Sequence, residues 1–166
     1  MEEISKEHLS LAGEYAVASE LCKRGIYAQL TLGTRKKTDL LVDAETAMLK
    51  VQVKTKQVDR WTCRGVFGKN IMLVLVDYEN KKYDQRPDFY ILKPSDWKKF
   101  VKWWLSDDIS EGKAVLDKEN CPIWSGRKEG GKPFKGTSVF PKDVAQHKER
   151  WDKIAVTLDG KSEKNS

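Results

Sequence analysis

An aspartate, a glutamine and a lysine fall on two short segments that read as neighbouring strands, Thr38-Asp39-Leu40-Leu41-Val42 and Val51-Gln52-Val53-Lys54-Thr55. Strand side chains alternate between faces, so Gln52 and Lys54 project one way while Val51, Val53 and Thr55 project the other. Asp39 can ligate a hard cation directly, Gln52 can offer its amide oxygen, and the backbone carbonyl of Val53 can add another donor. Mg²⁺ takes about six oxygens at about 2.1 Å and keeps several waters, so one carboxylate plus carbonyls suffices where a phosphate also ligates. Lys54 can orient or deprotonate the attacking water and offset charge on the phosphate. The competing reading is an ordinary amphipathic hairpin with Gln52 and Lys54 on a wet face.

The elements that must position these groups follow from periodicity. Residues 5–24 read as a helix ended by Gly25. Its apolar stripe is Leu11, Tyr15, Ala18 and Cys22, with Leu21 at the edge. Glu14 falls on the flank of that stripe and can reach a metal through water, whereas Glu20 falls on the solvent side. Residues 26–32 can form a first strand, and residues 38–42 and 47–55 a hairpin. Ile71 to Tyr78 is a continuous apolar run, as a strand covered on both faces requires. Asp88 to Leu92 is a further strand, and Ser95 can cap a helix reaching Leu105 with Trp97, Phe100, Val101, Trp104 and Leu105 inward and Trp103 outward. Residues 106–141 read as an irregular loop with one short strand near 137–140. A last helix spans about 142–155 with Val144, His147, Trp151 and Ile154 on one face. The fold class is therefore α/β, a central mixed β-sheet flanked by helices. The expected organisation is a single domain over 1–158, its core at about 5–105 and an extension at 106–158, with a disordered tail at 159–166.

Composition narrows the partner. The 166 residues carry 31 Lys and Arg against 25 Asp and Glu, a net charge of +6 that favours an anionic ligand such as nucleic acid. Basic residues cluster near the hairpin: Arg35, Lys36 and Lys37 before Asp39, and Lys56, Arg60 and Arg64 after Lys54. They would contact phosphates largely independently of sequence. Trp61 lies among them and could stack on a base or anchor the core. Three scattered cysteines, the absence of an apolar run long enough to span a bilayer, and an acidic start suggest an intracellular, cytoplasmic protein that does not engage membranes. Gly126 to Lys132 imitates the start of a phosphate-binding loop, but Pro133 stands where Ser or Thr is needed and no strand precedes it. Two histidines remote from any cysteine argue against zinc.

Glu14 in Gly13-Glu14-Tyr15-Ala16-Val17-Ala18, then Asp39, then Gln52-Val53-Lys54, resembles the ordered signature of the PD-(D/E)XK nuclease superfamily, in the flavour of Holliday junction resolvases and Mrr-like restriction endonucleases. The likeness covers about residues 9–78. It implies a restriction-endonuclease-like core and a Mg-dependent endodeoxyribonuclease, with Mn as a substitute, that hydrolyses phosphodiesters of duplex or branched DNA through a metal-activated water. Asp39 would be the metal-binding aspartate, Lys54 the catalytic lysine, Gln52 the occupant of the carboxylate position and Glu14 the helix-borne acid. Two departures stand out: Thr38 replaces the proline, and Gln52 removes one negative charge from the metal site. That loss motivates an alternative, a nucleic-acid-binding module of nuclease-like fold that does not cut. A structural or assembly role, through Trp103, Trp151 and His147 in a homodimer or higher oligomer, is the third reading.

Overall fold

Ser5 opens the first helix, α1 (Lys6–Lys23), its hydroxyl accepting a hydrogen bond from the His8 N–H at 3.2 Å. Gly25, at φ +74°, turns the chain out of the helix into β1 (Tyr27–Leu30). These details come from a computed structural model, which describes residues 4–31, 38–44, 47–125 and 132–158. Arg35, Lys36 and Lys37, the phosphate-loop look-alike at 126–131 and the expected tail at 159–166 lie outside the described residues.

The central sheet contains β1, β2 (Leu40–Ala44), β3 (Ala47–Lys56), β5 (Ile71–Asp77) and β6 (Asp88–Leu92), in the order β1-β2-β3-β5-β6. All neighbours are antiparallel except β3 and β5, which run parallel. The expected α/β class, a mixed sheet flanked by helices, is what the chain adopts. As its unbroken apolar sequence requires, β5 is covered on both faces: Met72, Val74 and Val76 join one core, Leu73 and Leu75 the other. The first core holds α1, α4 (Asp152–Leu158) and one face of β1–β3. The second holds α2 (Pro94–Trp104), the short strand β4 (Trp61–Cys63) and its partner β10 (Thr137–Val139).

Several expectations fail for tertiary reasons. The buried face of α1 is Gly13, Val17, Ala18, Glu20 and Leu21, whereas Leu11, Tyr15 and Cys22 are exposed. Glu20 is tolerated inside because Lys23, Arg24 and Arg86 reach it at 3.2, 2.6 and 2.9 Å. Helix α2 begins at Pro94 rather than after Ser95, with the Lys93 N–H donating to Asp96 Oδ2 at 2.9 Å. Trp97, Phe100, Val101 and Leu105 are buried and Trp103 is 65% exposed, as its spacing requires; Trp104 is also partly exposed. Residues 106–125 and 132–141 are not a plain loop. They form α3 (Ser106–Ser110), β7 (Ala114–Leu116), β8 (Pro122–Trp124) and β9 (Phe134–Lys135), which build a small sheet of their own, and then β10. The single last helix is instead a 3-10 turn at Pro141–His147 followed by α4. Between them Glu149 sits at φ +55° and donates its N–H to Phe89 O at 2.8 Å, so bonding to the edge of β6 overrides helix continuity. Val144, His147, Trp151 and Ile154 are buried nonetheless. Among the described residues no helix is long and apolar enough to cross a membrane.

Candidate active site

Register decides which side chains share a face. Leu40 pairs with Val51, and both are fully buried on the α1 side of the sheet. Gln52 and Lys54 therefore project to the opposite face of β3, while Asp39, a bend residue just before β2, sends its N–H to Val51 O and its C=O to the Thr31 N–H, so that strand alternation does not set its side chain. The Asp39 carboxylate reaches β3 at Val53, between Gln52 and Lys54 in the strand, and both Asp39 and Lys54 act electrostatically on Glu14.

At this point β2 and β3 splay apart. The Asp39 N–H still donates to Val51 O at 2.9 Å, but the next ladder donor, the Val53 N–H, is taken by the Asp39 carboxylate, Oδ2, at 2.7 Å. Upstream, Thr38 O accepts from the Thr31 hydroxyl at 2.6 Å, which draws the chain toward β1. A strand residue directs its N–H and C=O to the same edge, so the Val53 carbonyl faces the gap that β2 has left. Beyond it β3 continues to Lys56, paired with β5 on the far edge. The result is an open strand edge carrying a carboxylate, an amide side chain and a backbone carbonyl.

Glu14 arrives from the helix layer. Gly13 permits this: a Cβ there would stand 1.9 Å from Thr55 Oγ1, so only glycine lets α1 lie this close to β3. Burial, then the negative charge of Asp39, pushes the Glu14 carboxyl above its ordinary range. The Ser10 hydroxyl, donating at 3.4 Å, and the Lys54 charge pull it back. Glu14 thus senses both other charged members of the site.

Two lysines on the same face of β3 have opposite fates. The Lys54 ammonium lines an open cleft and has no side-chain hydrogen bond or ion pair among the described residues. Lys56 is 2% exposed, bonded to Asp77, Glu79 and the Val58 carbonyl at 2.7, 2.7 and 2.8 Å, and lies 4.9 Å from the centre of the Trp61 ring. The expectation that Lys56 contacts phosphate is therefore corrected, since its charge is spent on two carboxylates inside the protein. Trp61 is likewise no base-stacking residue. It is 1% exposed, donates its indole N–H to Val76 O at 2.9 Å and meets Tyr90 edge-on. Arg60 and Arg64 are exposed, and Arg60 lines the cleft. His147 and Trp151 are buried, His147 against the Lys153 ammonium at 2.8 Å, so neither forms a surface for assembly.

The donor set suits a hard cation: the Asp39 and Glu14 carboxylates, the Gln52 amide oxygen and the Val53 carbonyl are all oxygen ligands. Among the described residues no three His, Cys, Asp or Glu side chains gather as a metal cluster, so any cation here would rest on two carboxylates and neutral oxygens. A cleft of about 1400 Å³ is lined by Val53 and Lys54 of β3, by Ser10 of α1 and by a turn at residues 80–84. That turn carries, in Lys81-Lys82-Tyr83, the basic and aromatic mixture that signals nucleic acid, a signal too short for periodicity to single out.

No protein-family model and no curated protein matches the chain. Among solved structures it is similar to a bacterial homing endonuclease, I-Ssp6803I, with a TM-score of 0.51 and 16% identity, over 95% of this chain and 97% of that one. The two chains share a fold. The likeness spans the C-terminal half as well as the hairpin region, further than the short ordered signature of residues 9–78 reached.

Proposed function

We propose that the protein is a divalent-metal-dependent endonuclease that hydrolyses DNA phosphodiester bonds, of the PD-(D/E)XK type. The observation that supports this reading is the Asp39 carboxylate taking the Val53 N–H, between Gln52 and Lys54 in β3, with Glu14 within electrostatic reach of Asp39 and Lys54. The shared fold with a homing endonuclease supports it. Asp39 and Gln52, with the Val53 carbonyl, would hold Mg²⁺ or Mn²⁺, and Glu14 would bind it through water. The cation would polarise water and phosphate as a Lewis acid. Lys54, held two residues along from Gln52, orients or deprotonates the attacking water and offsets charge on the phosphate. Arg60 and Arg64 add phosphate contacts, as would Arg35, Lys36 and Lys37.

The test is nicking of supercoiled plasmid in Mg²⁺ or Mn²⁺ by the full chain. Wild-type protein cleaves, while Asp39→Ala and Lys54→Ala lose cleavage and keep DNA binding; normal cleavage by both variants refutes the assignment. Gln52, neutral where a carboxylate would hold metal more tightly, favours one second reading, a module that grips DNA without cutting. Wild-type protein that retards DNA in a gel yet nicks no substrate with either metal would establish that reading.

A further inference from the structure

Of the groups proposed for hydrolysis, Val53 and Lys54 line the cleft, and its rim also carries an aromatic ring that has no partner among the described residues. Tyr83 is 82% exposed, more than any other large hydrophobic side chain of the described residues. Flexibility does not explain this, because the turn that carries it is pinned. The Lys82 N–H donates to Gln85 Oε1 at 2.8 Å, the Gln85 N–H to Lys82 O at 3.1 Å, and the Lys81 N–H to Tyr78 O at 3.1 Å. Lys81 pairs with Asp88 at 3.2 Å, and Asn80 adopts φ +58° to close the bend. A rigid turn therefore presents Lys82 and Tyr83 to the cleft.

The charge of the lining is one-sided. Lys56 and Lys81 are neutralised by their own carboxylates, which leaves Lys6, Lys54, Arg60 and Lys82 against Asp84. Among the described residues the one carboxylate paired with Arg60 is Asp59, at a loose 3.8 Å, and its guanidinium lies 6.0 Å from the centre of the Phe140 ring. Between these cations lie apolar surfaces, Leu9 of α1 and the half-exposed Val58. A volume of about 1400 Å³ exceeds the roughly 300–1,000 Å³ typical of small-molecule sites. Alternating cations and exposed aromatic or apolar faces are what single-stranded nucleic acid binds, through phosphates and base stacking respectively. A duplex offers its phosphates but keeps its base faces stacked, so it would leave Tyr83 unused. An acidic peptide would satisfy the cations and leave the ring unused as well.

We infer that this cleft takes a single nucleic-acid strand leading away from the hydrolytic gap, with Tyr83 stacking on an unpaired base and Lys82 on its phosphate, which makes DNA with a single-stranded segment the preferred substrate class. The inference rests on the endonuclease reading for which end of the cleft does chemistry. It adds Tyr83 and Lys82 as binding residues, neither of which touches Asp39, Gln52 or Glu14.

Fluorescence anisotropy of the full chain tests it, with chelator present so that nothing is cut. The probes are a labelled duplex with a single-stranded flap and a blunt duplex of the same sequence. Wild-type protein favours the flap. Tyr83→Ala loses about 5- to 100-fold on the flap and no more than about twofold on the blunt duplex, while Tyr83→Phe, which keeps the ring, binds the flap as wild type does. Lys82→Ala weakens flap binding and lowers the slope of log affinity against log salt by about 1. A wild-type protein indifferent to the flap, or a Tyr83→Ala variant that loses neither substrate or both alike, overturns the inference. Cleavage of plasmid with no flap preference removes this strand path and leaves hydrolysis standing. Flap preference carried by Tyr83 without any cleavage does the reverse.

Discussion

Gly13→Ala is the sharpest probe of how the helix layer serves the site. The added methyl would stand 1.9 Å from Thr55 Oγ1, 3.0 Å from Thr55 Cβ and 3.1 Å from Thr55 Cγ2. Comfortable contact needs about 3.5–4.0 Å. Rotating Thr55 cannot help, because every atom of its branched side chain is already too close. Helix α1 must therefore retreat from β3 by an amount on the order of 1 Å. Overpacking of this kind costs about 1–3 kcal/mol, and alanine in place of glycine within a helix returns about 1 kcal/mol. The net loss is about 1 kcal/mol, a fall in Tm of about 2–4 °C for a domain of this size. The catalytic effect should be much larger. Glu14 is the next residue, and a displacement of about 1 Å at a reacting centre can cost about 100-fold in rate. Thermal melting and the rate of Mg²⁺-dependent plasmid nicking read the two effects separately. Thr55→Ala alone should be nearly neutral, because Thr55 Oγ1 is buried with no hydrogen-bond partner in the structure. Combined with Gly13→Ala it should restore part of the rate, since the closest contact is gone and one at 3.0 Å remains. A Gly13→Ala protein with wild-type melting and wild-type cleavage would refute the argument, and with it the role of this close approach in placing Glu14.

Three further outcomes follow from the site. Lys56→Ala should destabilise the fold by about 3–5 kcal/mol, because Asp77 is left charged and unpaired inside; Lys54→Ala should leave the denaturation midpoint almost unchanged, and equal midpoints for the two variants would contradict their assigned roles. Gln52→Glu adds the missing negative charge beside Asp39 and should lower the Mg²⁺ concentration needed for half-maximal cleavage, so a rise in that concentration would argue against Gln52 as a ligand. Glu14 has a folded-state pKa above its ordinary value, so its ionisation disfavours the folded state and stability falls as pH rises through that raised value. Glu14→Gln should accordingly melt higher than wild type in metal-free buffer at neutral pH, yet lose most of the stabilisation that Mg²⁺ gives wild type; a variant that melts lower in chelator, or keeps the full Mg²⁺ shift, would show that Glu14 plays neither part.

Elements with a strong local signature were legible before folding was considered. Ser5 and Gly25 bound α1, the unbroken apolar run of β5 declared a doubly covered strand, and the alternation in β3 separated Gln52 and Lys54 from Val51 and Val53. Elements that depend on distant partners were not. Glu20 reads as a solvent residue until Arg86, 66 positions away, is seen beside it. The last helix breaks because Glu149 bonds to Phe89, Arg86 and Trp151, none of which helical periodicity takes into account. Lys56 and Trp61 belong to a basic stretch by sequence and to the interior by packing.

By itself, then, the sequence determined which chemistry the chain could carry. The types and order of Glu14, Asp39, Gln52 and Lys54 are local facts, as is the two-residue period that puts an amide and an ammonium on one face of a strand. The tertiary structure alone decided which charges remain available. Only the folded hairpin brings the Asp39 carboxylate onto the Val53 N–H, and only the packing around Asp77 and Glu79 neutralises Lys56 while its neighbour two residues back has no ion pair among the described residues. Charge is fixed by residue type, but its use depends on what burial brings against it, and burial is a property of the assembled layers.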